Sequence, residues 1–508
     1  MSSRIFSVLI LLAGFSLGRG AGQSVAASEV EQWWSSELHP ESPAWFTSPP
    51  AVSQIPYALS RQPNLKWEGC DETKGMVFTV RPEVSFQTML GIGTSLEATS
   101  IYAIRKNKTE AQIRDLLRTL VDPVNGLGFS LFRVTIGTSD FSDGRSVSKH
   151  PKGFYSYRDE PHGTFSIAAD HQFGILETLQ WLIEEAARLE PPVDPRFFAS
   201  CWSPPGWMKT SNALIGGTLL SGMEMEWARY IRDFVEAYER EGIPIYAVTI
   251  QNEPNFVPDD YPGMGLTPRQ EALMADALCT VFRGGDVPED QRIDAKIWIN
   301  DHNFEFWENA DEVLNLLRKR DRYDCVDGVA FHNYSSAPAE WMSEILRRHP
   351  EKSVQLTEHA EWGVAGMHNL QQYFWNGSQS YVYWVPMSSR DLDEHNQGPY
   401  NVLGELSPTL LIQEEGGSPH WYRTPEYFLL SQFGRFIRPG AERIECSPGK
   451  SSALTAVAFK NPDHGMAVIL VNQTKTLKSY TLRIGEERQV CGDVPAKSVS
   501  TLSWRAGS

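Results

Sequence analysis

A chain of 508 residues has room for one large domain and a smaller companion. Its formal net charge of −17 argues against a nucleic-acid partner, which would want a basic patch, and it gives no electrostatic pull toward anionic membranes. With 41% hydrophobic and 21% charged residues the composition is globular, and 16 Trp, 17 Tyr and 24 Phe supply flat faces for core packing or for stacking on sugars.

Residues 1–22 read as a secretory signal. Arg4 precedes the apolar run Ile5–Leu17, and the small residues Gly18, Gly20, Ala21 and Gly22 follow. A retained N-terminal anchor is the competing reading. No later stretch is apolar enough to cross a bilayer. The mature chain is therefore expected to be secreted or periplasmic, with no integral membrane segment. The six cysteines form no CxxC or zinc-type spacing. Export permits disulfides, and Cys446 with Cys491, both in the strand-rich C-terminal region, is the expected pair. Cys201 is expected as a packed thiol.

Residues 28–85 form a Pro- and Trp-containing lead-in followed by two strands within Leu65–Val84. From residue 86 a strand–helix rhythm begins. Thr88–Ile92 precedes a helix near Glu110–Leu120, which places Ile113, Leu116, Leu117 and Leu120 on one face. Ser130–Thr135 is followed, after a long insertion, by a helix near His171–Arg188. Arg196–Cys201 leads to Met223–Arg240. Ile245–Phe256 is a short buried strand that runs into Asn252-Glu253-Pro254, where proline ends the ladder. A helix near Pro268–Phe282 follows, with Thr267 as N-cap and Pro268 at its first position. Then come Lys296–Asn300 with Asn309–Lys319, Asp327–Phe331 with Pro338–Arg348, and Ser353–Leu356 with Gly363–Phe374. The eighth strand, Ser380–Val385, is followed by a long polar loop and a last helix, Pro425–Phe436.

Eight such rounds predict an α/β fold, a closed (β/α)8 TIM barrel over residues 86–437. An open doubly wound sheet would want a glycine-rich nucleotide turn, and Gly91-Ile92-Gly93 lacks the third glycine. Residues 438–508 carry short β-rich runs at Ser452–Phe459, Met466–Asn472, Ser479–Arg483 and Ser498–Trp504. They predict a side β-sandwich that the strands before residue 86 join.

In such a barrel the chemistry belongs at the C-terminal ends of the strands. Those ends carry Glu97, Arg133, Asp140, Trp202, Asn252, Glu253, Asp301, His302, Asn303, His332, Asn333, Tyr334, Glu358, His359 and Trp384. Glu253 and Glu358, ending strands four and seven, are expected to face each other across the mouth. Glycoside hydrolysis needs such a pair: one carboxyl protonates the leaving oxygen, and the other attacks the anomeric carbon or activates water. A separation of about 5–5.5 Å gives retention and a wider one inversion. Arg133 is the candidate to hold one carboxylate charged, and Asn252 the candidate to bond the sugar 2-hydroxyl.

The segments IQNEPNF, WSPPGWMKT and QLTEH, with LGFSLFRVTIGTSDFS, VDGVAFHNY and YFLLSQFGRFIRPG, together resemble the glucosylceramidase family, glycoside hydrolase family 30. The resemblance spans about residues 86–508. It implies Glu253 as acid/base and Glu358 as nucleophile of a retaining β-glycosidase. It further implies that Arg133, Trp202, Asn252, His332, Tyr334 and Trp384 line the glycone subsite. Family members commonly carry GFGG and a sugar-binding Asp after strand one. Here Glu97 is expected to take that role from a neighbouring position. The partner is a carbohydrate or glycolipid, and relatives cleave β-glucosides, β-1,6-glucans, β-xylosides and β-galactans.

Each of these residues has a plainer role open to it. Trp202 and Trp384 could be barrel-top packing, and His332 and Tyr334 satisfied core groups. Asp301, His302 and His359 show no HxH or HExxH pattern, so neither a metal nor another cofactor is expected. A Ser-His-Asp hydrolase would want a G-x-S-x-G elbow, which is missing from the sequence. A non-catalytic carbohydrate-binding relative is the alternative of another class, and the presence of both glutamates weighs against it.

Overall fold

The computed structural model describes all residues except 1–28, 38–54, 68–69, 71–72, 143–152, 336, 392–408, 451–452, 486–487 and 506–508. The expected signal segment, and parts of the loops after strands two and eight, lie outside the described residues.

Eight parallel strands close into a barrel. In chain order they are Gly91–Ser95, Leu131–Ile136, Arg196–Cys201, Ile245–Thr249, Lys296–Asn303, Gly328–His332, Ser353–His359 and Ser378–Tyr383, and the eighth pairs with the first. The third strand matches the sequence reading. The first lies further along than expected, because Thr88 ends a strand of the other domain and the buried Met89 and Leu90 make the passage between the two. Gly93 permits that first strand to sit where it does. A Cβ there would lie 1.4 Å from the Leu131 carbonyl oxygen. The Gly-Ile-Gly run thus serves close approach of two strands.

The lower barrel is filled by Leu90, Leu131, Phe198, Ala247, Trp298, Ala330 and Val382, so the interior is a packed plug below the mouth. The surrounding helices present apolar stripes to the outside of the barrel. Glu110–Val121 buries Ile113, Leu116, Leu117 and Leu120 as the periodicity requires. Thr267 caps Pro268–Arg283 through a reciprocal capping box with Gln270. After the eighth strand, Met387–Ser389, Leu411–Gln413 and Trp421–Arg423 form a small separate sheet beside the mouth.

The second domain is one nine-stranded sheet rolled into a sandwich. Its order is Arg488–Val494, Lys478–Ile484, Met76–Thr88, Glu442–Ser447, Leu454–Lys460, Gly465–Asn472, Ser498–Arg505, Glu29–Ser36 and Ser60–Lys66. Its two edges come together around Val30, Phe78, Leu470, Tyr480 and Leu502. The lead-in therefore contains an unforeseen strand, Glu29–Ser36, paired on both sides.

The expected Cys446–Cys491 bond does not form. Two strands stand between theirs, a distance of about 14 Å at ordinary strand spacing, beyond the reach of a disulfide. Cys491 pairs instead with Cys70, and Cys279 pairs with Cys325. Cys446 and Cys201 are free, the latter buried as expected.

Candidate active site

The fourth strand stops at Thr249, and a stitched turn carries Asn252 and Glu253 over the barrel mouth. The Asn252 amide N–H donates to the Cys201 carbonyl at 2.8 Å, and that of Glu253 to the Asp301 carbonyl at 3.0 Å. Strands three and five thus hold the turn from both sides. Glu253 and Asp301 both sit in the left-handed region, with φ of 49° and 48°. Such a conformation costs a non-glycine residue about 1–3 kcal/mol and persists only where neighbours enforce it.

Strands four and seven are not opposite each other in the closed order. Strands five and six stand between them, and those two supply the groups that connect the glutamates. Asp301, from strand five, is fully buried and accepts from five side chains. These are Arg133 Nη2 (2.9 Å), Ser200 (2.9 Å), Thr249 (2.8 Å), Thr357 (2.7 Å) and His332 Nε2 (3.0 Å). His332, from strand six, turns its Nδ1 to Glu253 Oε1 at 3.2 Å. Its Nε2 also lies 3.8 Å from Glu358 Oε2. Arg133 donates to Glu358, to Asn252 Oδ1 at 2.7 Å and to Ser200 at 3.1 Å. Tyr334 is half exposed, yet its hydroxyl reaches down to Glu358 Oε1 at 2.9 Å.

The charges in this network set its protonation. Burial disfavours the Arg133 cation, but Asp301, Glu358 and Glu97 outweigh burial and keep it firmly charged. Burial would raise the Asp301 carboxyl; Arg133 and His332 instead hold it far below the usual carboxylate range. His332 is likewise opposed by burial, and the Glu358 and Asp301 charges raise it to about 9. For Glu253, burial is overcome by the His332 contact, and its pKa falls. For Glu358, burial together with the Glu253 and Asp301 charges outweighs His332 and Arg133, and its pKa rises. The Glu253 charge is one of those that raise Glu358, so the two titrations are linked.

Trp202 is only 2% exposed, and the Arg133 guanidinium lies 4.5 Å from its ring centroid. One face of that ring supports the cation and is not free for a sugar. Trp384 packs against Trp202 at 5.9 Å and edge-on against Phe141 at 5.2 Å.

Glu97 is a correction. It is fully buried, and its carboxylate is taken up by Ser95, Thr135 and Ser139. It organises the base of the second loop and does not open onto the mouth. The carboxyl that does face the pair is Asp140. Burial, then the charges of Glu358, Glu97 and Glu253, push its pKa well above the ordinary value. Its position after Arg133 was visible in the sequence, but nothing local marked its direction. Asp301 was likewise visible at a strand end. Its role as hub depends on Ser200, Thr249 and Thr357 from three other strands. Of the remaining histidines, His359 leans on Tyr334 and Glu361. His302 stacks on Phe306 with its Nδ1 3.6 Å from Glu253.

Two loops frame the mouth beyond Glu253. Lys209, from the WSPPGWMKT segment, is 2% exposed. It donates to Ser203 Oγ (2.8 Å) and to the carbonyls of Leu214 (2.6 Å) and Gly263 (2.8 Å), none of them a carboxylate. Burial lowers its pKa to about 7. A cleft lined by Thr210, Pro254, Val257, Phe306 and Asn309 adjoins the Glu253 turn.

Comparison with known proteins agrees with this architecture. Residues 89–436 match the glycosyl hydrolase family 30 TIM-barrel domain, and residues 440–502 the β-sandwich domain of the same family. A putative glucosylceramidase 2 of Caenorhabditis elegans is 26% identical over 444 residues, 82% of this chain and 80% of its own. An endo-1,6-β-D-glucanase of Neurospora crassa is 26% identical over 425 residues, 79% and 82% of the two chains. The lysosomal acid glucosylceramidase of Mus musculus is 24% identical over 85% of this chain and 84% of its own. Among solved structures, SrfJ of Salmonella typhimurium superposes with a TM-score of 0.76 at 22% identity, covering 94% of this chain and 99% of its own. An endo-β-1,6-glucanase superposes with a TM-score of 0.74 at 22% identity over the same shares. Two domains matched in order by the models of one family, over most of the chain's length, make this protein a member of glycosyl hydrolase family 30, a glycoside hydrolase.

Proposed function

We propose that the protein is an exported, retaining β-glycosidase that cleaves β-glucosidic bonds in two steps. The observation that carries this reading is the single network that ties Glu253 and Glu358 to His332, Asp301 and Arg133. With Arg133 and His332 positive and Asp301 negative, the network is neutral when the two glutamates share one proton. In the free protein the shifts favour that proton on Glu358, whose pKa is raised, over Glu253, whose pKa is lowered; hydrolysis uses the other form, with the proton on Glu253. Glu358 then keeps two donors, Arg133 and Tyr334, on its two oxygens, which favours an ionised nucleophile.

In the first step Glu358 forms an ester bond to the anomeric carbon as the glycosidic bond breaks. Glu253 gives its proton to the departing oxygen. In the second step Glu253 takes a proton from water, the water oxygen bonds to the anomeric carbon, and Glu358 leaves. Asn252 spends its carbonyl oxygen on Arg133, leaving its amide N–H groups as donors for the sugar 2-hydroxyl. Trp384 and Asp140 wall the glycone side. The cleft beyond Glu253 takes the aglycone.

Glucosylceramide-type substrates are the first choice, because two of the relatives compared above are glucosylceramidases by name. β-1,6-Glucan is the second, supported by the glucanase relative of equal identity. Export is supported by the signal-like N-terminal sequence and by two disulfides, which form in oxidising compartments.

The test is an activity panel of aryl β-glucoside, aryl β-xyloside, detergent-dispersed glucosylceramide and β-1,6-gluco-oligosaccharide, with the product anomer followed by NMR. A β product supports retention, and an α product refutes the two-step mechanism. A 2-fluoroglucosyl trap should add one sugar to the peptide containing Glu358, and Glu358→Gln should abolish both labelling and turnover.

A further inference from the structure

His302 is a group in this mouth that the mechanism above does not use. It is 4% exposed, and neither of its ring nitrogens has a hydrogen-bond partner. Leaving a buried polar group unpaired costs about 1–3 kcal/mol, so such a group in a well-packed protein calls for an explanation. The ring is held flat against Phe306, with centroids 4.4 Å apart and planes 20° from parallel. This places its Nδ1 3.6 Å from Glu253 Oε1. On the other side of the same oxygen, His332 Nδ1 stands at 3.2 Å. One ligating atom from each of Glu253, His302 and His332 lies within 4.8 Å of the other two.

We propose that these three side chains form a binding site for a borderline-soft divalent cation such as Zn²⁺, and that its occupancy switches the enzyme off. Tetrahedral zinc with bonds of about 2.0–2.2 Å to nitrogen and oxygen has ligand–ligand edges of about 3.3–3.5 Å. Two edges of the triangle already have that length. The third, between the two histidines, is no longer than 4.8 Å, and no hydrogen bond holds the His302 ring against the movement that would shorten it. Two imidazoles and one carboxylate suit zinc, and they are poor ligands for Mg²⁺ or Ca²⁺.

The surroundings fit as well. His332 directs its other nitrogen to buried Asp301 at 3.0 Å. A carboxylate behind a histidine in this way fixes the ring and makes the free nitrogen a better ligand. The charges also balance: Arg133 and a divalent cation offset Glu253, Asp301 and Glu358 while His332 is neutral. The fourth position faces the open mouth and takes water.

Zinc held there removes Glu253 Oε1 from proton transfer. That consequence rests on the reading of Glu253 as acid/base; the binding itself does not.

The test is isothermal titration of the full chain with ZnCl₂ in a non-chelating buffer, for wild type, His302→Gln and Glu253→Gln. Circular dichroism and thermal melts check that each variant is folded. The expected result is one saturable site in wild type, weakened at least tenfold in both variants. A titration of MgCl₂ should show no such site. Zinc should inhibit wild-type hydrolysis of an aryl β-glucoside, EDTA should restore it, and the inhibition constant should match the calorimetric Kd. Absence of a saturable site, or one that His302→Gln leaves unchanged in a folded protein, overturns the proposal. Saturable binding that depends on His302 yet leaves turnover intact keeps the site and refutes the acid/base role of Glu253.

Discussion

Replacing Lys209 with Met tests whether a buried ammonium spans the two loops over the mouth. In the folded protein burial lowers the pKa of this lysine from 10.5 to about 7. In the unfolded chain it returns to its ordinary value. Between those values the unfolded state binds the extra proton, so the contribution of Lys209 to stability rises with pH across about pH 7 to 10.5. The slope has a ceiling of about 1.4 kcal/mol per pH unit, and the whole span a ceiling of about 5 kcal/mol. Three acceptors at 2.6–2.8 Å favour the charged form and hold the effect below that ceiling. Urea unfolding of wild type and Lys209→Met at pH 7.5, 8.5 and 9.5 should therefore diverge. Wild type should gain about 2 kcal/mol over the variant across that window. The variant also strands the Leu214 and Gly263 carbonyls, at about 1–3 kcal/mol each. Since those carbonyls belong to the mouth loops, KM should rise more than kcat falls. Parallel pH profiles for the two proteins would refute the argument.

Asp301→Asn leaves Arg133 and His332 buried with one fewer counter-charge. It should cost about 3–5 kcal/mol of stability in denaturant melts, and should lower kcat/KM at least 100-fold, about 2.7 kcal/mol of barrier. Activity within threefold of wild type would remove Asp301 from its central place. Gly93→Ala drives a methyl into the Leu131 carbonyl and should yield no soluble folded protein. Gly285→Ala, where nothing lies within 4 Å, should express and melt as wild type. Cys279→Ser releases the tie between Pro268–Arg283 and the turn at Cys325, closing a loop of 46 residues. It should lower stability by about 2–4 kcal/mol without changing kcat.

The barrel was legible because each round repeats one local rule, an apolar run followed by a helical stripe, and most helices fall within a few residues of their periodicity. Glu253 and Glu358 were legible as strand-end carboxylates because each closes a short apolar run, and Pro254 marks the end of the fourth strand. What stayed hidden depends on contacts across the sequence. Glu29–Ser36 shows no clean alternation because its adjacent Trp33 and Trp34 pack on both faces, near Phe436 and Tyr57. Glu97 and Asp140 both follow strand ends in the same neighbourhood. Only the three hydroxyls that converge on Glu97 reveal which carboxylate turns inward. Cysteine pairing followed contacts distant in sequence, Cys70 with Cys491 and Cys279 with Cys325, which no count of residues supplies.

The rolled sheet has a consequence for how the protein is made. Glu29–Ser36 is paired with Ser498–Arg505, and Cys70 is bonded to Cys491 across a sequence separation of 421. At about 5–20 residues per second, the early strands wait some 20–80 s of synthesis for these partners. The barrel, whose strands pair mostly with their immediate successors, can assemble during that interval. Its closing strand and the helix at Pro425–Gly434, against which Ser35 rests through the Phe428 carbonyl and Gln432, arrive just before the last sandwich strands. The barrel thereby becomes the template on which the two ends of the chain meet, and a protein cut short by even its final strand would leave Glu29–Ser36 with an open edge, exposed to pairing with another copy.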